Sequence, residues 1–139
     1  MNQTGLLTIF QQHKHYMQRH GLYGTPWELF RLYFVSAVSS WLEHGDRIII
    51  FIDANEHILN GTLPNDLHSL GLLEATHEHW AKDEPTTYVH GNNAPIDGVF
   101  HMPDLEITLV LQLFFREGAG NHRMVIVDIS SSAIGKFEC

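Results

Sequence analysis

The chain has 139 residues, room for a single domain, with 44% hydrophobic and 17% charged residues, a globular balance rather than a disordered one. Its formal charge of −8 leaves no basic footprint for nucleic acid in the totals, although a carboxylate-bound cation would supply the positive field that a phosphate needs. The single cysteine, Cys139, excludes a disulfide framework and favours an intracellular setting, nucleus and cytoplasm being left open; no apolar stretch reaches the length of a membrane span, and no signal-like start precedes residue 16.

Taken in order, residues 4–20 carry Leu7, Phe10, Tyr16 and Met17 near helical spacing. Gly21 and Gly24 stop that helix. Thr25 then stands as N-cap, Pro26 at the first helical position and Glu28 in the first turn of a second helix reaching about residue 44, where Gly45 ends it. Residues 45–56, GDRIIIFIDANE, are the centre of the chain. The apolar run 48–52 predicts a strand buried on both faces over residues 47–53, and Asp53, Ala54, Asn55 and Glu56 follow where it emerges. Pro64 opens a short helix over 64–70, and residues 72–76 suggest a brief strand. Residues 77–82 are polar around Trp80, residues 86–90 are strand-like, and Gly91-Asn92-Asn93 is a hairpin signal. Residues 96–102 and 107–114 read as strands separated by Pro103-Asp104. Residues 124–130 form the last strand, and 131–139 read as a frayed tail.

Helices first and strands afterwards, with short connections, predict an α+β fold: a mainly antiparallel sheet with helices on one face. Residues 109–115, LVLQLFF, are apolar on both faces and call for cover on each side.

Asp53, Asn55, Asp97 and His122 make a hydrolytic set by residue type. A carboxylate can hold Mg²⁺ or act as a base, an amide can hold a phosphate oxygen, and an imidazole can move a proton near neutral pH. A second carboxylate can fix the imidazole's tautomer. Thr86 and Thr87 could offer hydroxyls to a phosphate, although threonines in such places are more often strand formers. Arg123 is a basic residue beside His122, and a surface role fits it equally. The eleven histidines include His13/His15 and His77/His79; the first pair cannot share a helical face, and the second could chelate a transition metal with His90 or His101 only if extended. Scattered surface histidines are the commoner reading. There is no Walker-type loop and no Gly-x-Ser-x-Gly elbow.

Four pieces then carry a resemblance: residues 50–55 (IFIDAN), 85–88 (PTTY), 96–100 (IDGVF) and Asn121-His122-Arg123 before the last strand. Their order is similar to the Gly-Asp-x-Asn, Thr, Ile-Asp and Ser-Asp-His motifs of the endonuclease/exonuclease/phosphatase superfamily, the DNase I-like fold, and the Asp-Ala-Asn-Glu form resembles retroelement-associated members. The resemblance covers nearly the whole chain, residues 8–130, and implies half of a DNase I-like four-layer α/β sandwich, the C-terminal half. It implies a Mg²⁺- (or Mn²⁺-) dependent phosphodiester hydrolase acting on nucleic acid or another phosphodiester. Asp53 would position or deprotonate water, Asn55 would bind the phosphate, and Asp97 would orient His122 as acid/base partner. Thr86, Thr87 and Arg123 would lie near the substrate, and Asn121 near the metal.

Three departures accompany it. Ile52 replaces a glycine, Asn121 replaces a carboxylate that helps hold the cation, and the family's domains are about twice this long. The half that is not matched carries the chief Glu ligand, for which Glu28, Glu43 and Glu56 are the nearest substitutes. A half-domain of this kind implies an uncovered sheet face, and with it a homo-oligomer or a second chain. Together the departures imply a truncated member of the lineage, weakly active or inactive; the alternative reading is a non-catalytic fragment or binding module without hydrolase activity.

Overall fold

The computed structural model describes residues 8–76, 87, 94–118 and 120–131. The chain divides into two compact units, residues 1–40 and 41–139. The first contains α1 (Ile9–Arg19) and most of α2 (Pro26–Glu43). Thr8 caps α1, its hydroxyl accepting from the Gln11 amide at 3.3 Å, so the helix starts at Ile9 and not at residue 4 as expected. Gly21 and Gly24 take left-handed φ values of 64° and 97°, open to glycine at little cost, and end the helix as expected. Thr25 and Glu28 close a reciprocal capping box: the Thr25 amide donates to Glu28 Oε2 at 2.7 Å, and the Glu28 amide donates to Thr25 Oγ1 at 3.2 Å. Along α2, Trp27, Phe30 and Phe34 stack in sequence, with ring centroids 5.4 and 5.5 Å apart. Gly45, at φ 81°, terminates α2, and the Asp46 amide closes back on the Trp41 carbonyl.

The second unit is built on two antiparallel sheets. The first has the order β1-β3-β2, from β1 (Ile49–Asp53), β2 (Leu73–Glu74) and β3 (Asp97–His101); the second pairs β4 (Ile107–Gln112) with β5 (Val125–Ile129). Helix α3 (Thr62–Ser69) lies between β1 and β2 in sequence. The α+β class is therefore observed, but the strands form two small sheets instead of one. Apolar and β-branched runs mark the strands, whereas the choice of partner is made by contacts distant in sequence.

Strand β3 is the doubly buried one. Gly98, Val99, Phe100 and His101 are all buried, and successive side chains go to opposite faces. Val99 joins Ala75 and Val110 in a core lined by Ile49, Ile107, Val125 and Val127, which packs the two sheets together. Phe100, Ile58, Leu63, Leu67 and Leu72 are fully buried, and His68 of α3 meets the Phe100 ring edge-on at 5.5 Å. Each such large apolar side chain contributes about 1.5–3 kcal/mol on burial.

The expectation that residues 47–53 form a strand buried on both faces is corrected. Strand β1 is at the edge of its sheet, and Phe51 is 60% exposed. A short run of large apolar residues does not distinguish a central strand from an edge strand with one wet side. Residues 109–112 are covered on one face only: Val110 is buried, whereas Leu109, Leu111 and, across the ladder, Ile126 are exposed, so the strand keeps an uncovered apolar side.

Two carboxylates complete the backbone hydrogen bonding. Glu74 is buried; its Oε1 accepts from the Val99 amide at 3.1 Å, where β2 has already ended, and its Oε2 accepts from the Thr76 hydroxyl at 2.7 Å. Glu56 caps α3, accepting from the amides of Thr62 and Leu63 at 2.8 Å each. The strand expected at residues 86–90, apart from Thr87, the hairpin turn at 91–93, the polar segment around Trp80 and the tail beyond residue 131 lie outside the described residues.

Candidate functional site

The antiparallel register sets Asp53 directly opposite Asp97, as it sets Phe51 opposite Val99. With a side-chain period of two, Phe51, Asp53, Asp97 and Val99 share the face of the first sheet that meets the second. Two like charges directly opposite across a ladder oppose pairing. His122, at the bridge residue just before β5, answers both of them: its Nδ1 lies 2.8 Å from Asp97 Oδ2, and its Nε2 lies 4.0 Å from Asp53 Oδ2. An ionised carboxylate only accepts, so Nδ1 carries the hydrogen shared with Asp97, and Nε2 faces Asp53. The 4.0 Å separation is too long for a direct hydrogen bond and short enough for one oxygen atom to touch both groups.

One ligand atom from each of Asp53, Asp97 and His122 lies within 4.8 Å of the other two, so the three could hold a metal ion. Two carboxylate oxygens and one imidazole nitrogen suit a hard to borderline divalent cation.

Local structure fixes the members. Asn55 sits at φ 51°, a left-handed conformation that Asn tolerates, and its amide donates to Asp53 Oδ1 at 3.0 Å. That turn holds one oxygen of Asp53 and leaves the other toward His122. The Ala54 amide donates to the Ile96 carbonyl at 2.8 Å, tying the turn to the strand that carries Asp97. Thr87 is buried, and its Oγ1 accepts from the amides of Ile96 and Asp97 at 2.9 and 3.1 Å. Its carbonyl accepts from the Arg123 amide at 2.8 Å. Thr87 therefore fastens the segment before Asp97 and the residue after His122.

An open cavity of about 270 Å³ is lined by Phe51, Asp53, Asp97, Val99, Arg123 and Val125 among others. The sequence-derived set is brought together at Asp53, Asp97 and His122, with Arg123 on the same cavity. Asn55 stands next to Asp53 as a turn residue, Asn121 is exposed on the preceding turn, and Thr86 lies outside the described residues. Of the substitute metal ligands, Glu28 and Glu56 are committed to helix caps. Of the transition-metal histidines, His77, His79 and His90 lie outside the described residues, and His101 is buried with its Nδ1 2.9 Å from the Met102 carbonyl.

Sequence reasoning missed Phe51 as a site residue, although its place two positions before Asp53 puts it on the same strand face. It also missed Glu74, whose burial no local pattern signals.

No family model, no curated protein and no solved structure matches this chain. Among the described residues, no helix is long and apolar enough to cross a membrane.

Proposed function

We propose that this chain is a phosphodiester hydrolase of DNase I-like lineage, using a Mg²⁺- or Mn²⁺-assisted site made by Asp53, Asp97 and His122. The observation that carries the reading is the linear order Asp97–His122–Asp53: one carboxylate bound to Nδ1 at 2.8 Å and a second facing Nε2 across 4.0 Å. An ordinary surface turn has no reason to set two carboxylates in register and aim a single imidazole at both.

The chain's own groups divide the work. Asp97 holds the His122 ring and its tautomer, and stabilises the imidazolium when Nε2 takes a proton. Asp53 Oδ2 orients the attacking water, while the Asn55 amide keeps the other oxygen of Asp53 occupied. His122 Nε2 exchanges the proton at the phosphate oxygen. A cation bound here would be held by Asp53 and Asp97 and would supply charge neutralisation at the phosphoryl group. The four-layer sandwich belongs to the same proposal: the two packed sheets and α3 would supply one side of it.

The test is Mg²⁺-dependent nicking of supercoiled plasmid and cleavage of a single-stranded oligonucleotide by the purified chain, beside His122→Ala and Asp97→Asn. Nicking that needs the metal and falls at least 100-fold in both variants is the expected result. Equal nicking by wild type and variants, or none in any of them, removes the hydrolase reading.

A second reading, a non-catalytic binding module, is favoured by one feature: the exposed apolar face of β4 and β5, with Leu111 45% and Ile126 39% accessible. In that case the metal triad would serve binding alone, and the nicking assay separates the two.

A further inference from the structure

We infer that the cavity beside the metal triad is a nucleotide subsite, in which Arg123 takes a phosphate and Phe51 stacks on an unpaired base. The inference rests on the phosphodiester reading above and adds to it the form of the substrate.

The first observation is Arg123. Its guanidinium lies over the Phe115 ring, 4.4 Å from the centroid, and its Nε is buried with no hydrogen-bond acceptor. It shares the cavity with Asp53 and Asp97 yet forms no ion pair with either. A planar fork held against an aromatic face on the wall of an open cavity suits an anion that is not part of the chain. Phosphate matches that geometry bidentately.

The second observation is Phe51. It is 60% exposed, lines the same cavity, and stands two residues from Asp53 on the same strand face. Two residues along a strand span about 6.6 Å, a reach that carries a chain from a phosphate across its sugar to the base. An exposed aromatic at that distance is a stacking platform of the kind that binds single strands without reading sequence. A base seated on Phe51 must leave its neighbours' stack, so the subsite selects unpaired nucleotides over duplex.

The test is calorimetric titration of the full chain, in Mg²⁺ buffer, with thymidine 5′-monophosphate, thymidine and inorganic phosphate. Thymidine monophosphate is expected to bind more tightly than phosphate. Phe51→Ala should weaken the nucleotide about 5- to 150-fold and leave phosphate unchanged, and Phe51→Trp should keep nucleotide affinity. Arg123→Gln should weaken nucleotide and phosphate together. The proposal is overturned if wild type binds none of the three, if the monophosphate binds no better than phosphate, or if Phe51→Ala or Arg123→Gln leaves binding untouched. Phe51 is mostly exposed, so its replacement leaves the fold in place, and a thermal melt checks this. A chain that binds as expected but cleaves nothing sinks the hydrolase reading alone; one that cleaves, with nucleotide binding indifferent to Phe51, sinks the subsite alone.

Discussion

Asp53 and Asp97 face one another across the β1–β3 ladder, and the imidazole of His122 lies within reach of both. A sheet selected for stability alone would not place like charges in register. Replacing Asp53 by Asn keeps an oxygen for the Asn55 amide and removes one charge. In chelator, the Asp53→Asn protein should unfold at a free energy higher by about 0.5 kcal/mol. Wild type should gain thermal stability on adding Mn²⁺, and the variant should gain little. A variant less stable than wild type in chelator, with an unchanged metal response, would rule out this account of the pair.

Thr87 predicts a different separation of effects. Its hydroxyl oxygen satisfies two amides, so Thr87→Val leaves both of these half-buried groups without an acceptor. The loss should be about 1–3 kcal/mol in denaturant unfolding, with cleavage reduced further because Asp97 is no longer held. Thr87→Ser keeps the acceptor and should restore most of both. Loss of cleavage in the serine variant at unchanged stability would overturn the positioning account of the hydroxyl.

Gly98 has an ordinary backbone conformation, so its requirement is space. A Cβ there would stand 3.1 Å from Ile58 Cγ2, 3.2 Å from Glu74 Oε1 and 3.3 Å from Phe100 Cε2. Gly98→Ala should cost about 1–3 kcal/mol by overpacking. Urea titration at constant m-value checks it, and a neutral result would mean that the Glu74 carboxylate can shift without losing the Val99 amide.

The capping box carries a pH signature. The Thr25 amide, and after it the Thr25 hydroxyl, hold the Glu28 carboxyl below its ordinary 4.5. A depressed folded-state value means that the stabilising contribution is present above the unfolded value and is lost as pH falls through the lower folded value. Far-UV circular dichroism should show an acid-side loss of helix in wild type that is smaller in Glu28→Gln. Thr25→Ala, which removes the other half of the box, should cost about 1 kcal/mol at neutral pH.

Much of this molecule was legible one residue at a time. Thr25, Pro26 and Glu28 mark the start of α2 because capping is a local hydrogen-bonding demand, and Gly45 marks its end for a local steric reason. The pairing of Asp97 with His122 was also anticipated, but from motif order, which carries no distance. The placement of β1 was misread because an apolar pentapeptide is compatible with either a central or an edge position. Glu56 looked like a spare ligand until its oxygens were found on the first amides of α3.

Local sequence sets where α2 begins and ends, that residues 49–53, 97–101, 107–112 and 125–129 extend, and which side chains have the chemistry for a phosphate and a cation. Only the tertiary structure decided that Asp53 meets Asp97, that β3 and not β1 is enclosed, that Phe51 is left in the open, and that Thr87 ties two distant segments together. Capping and alternation act over a few neighbouring residues. Register, burial and the convergence of charged groups come from contacts between residues tens of positions apart, and no local window contains them.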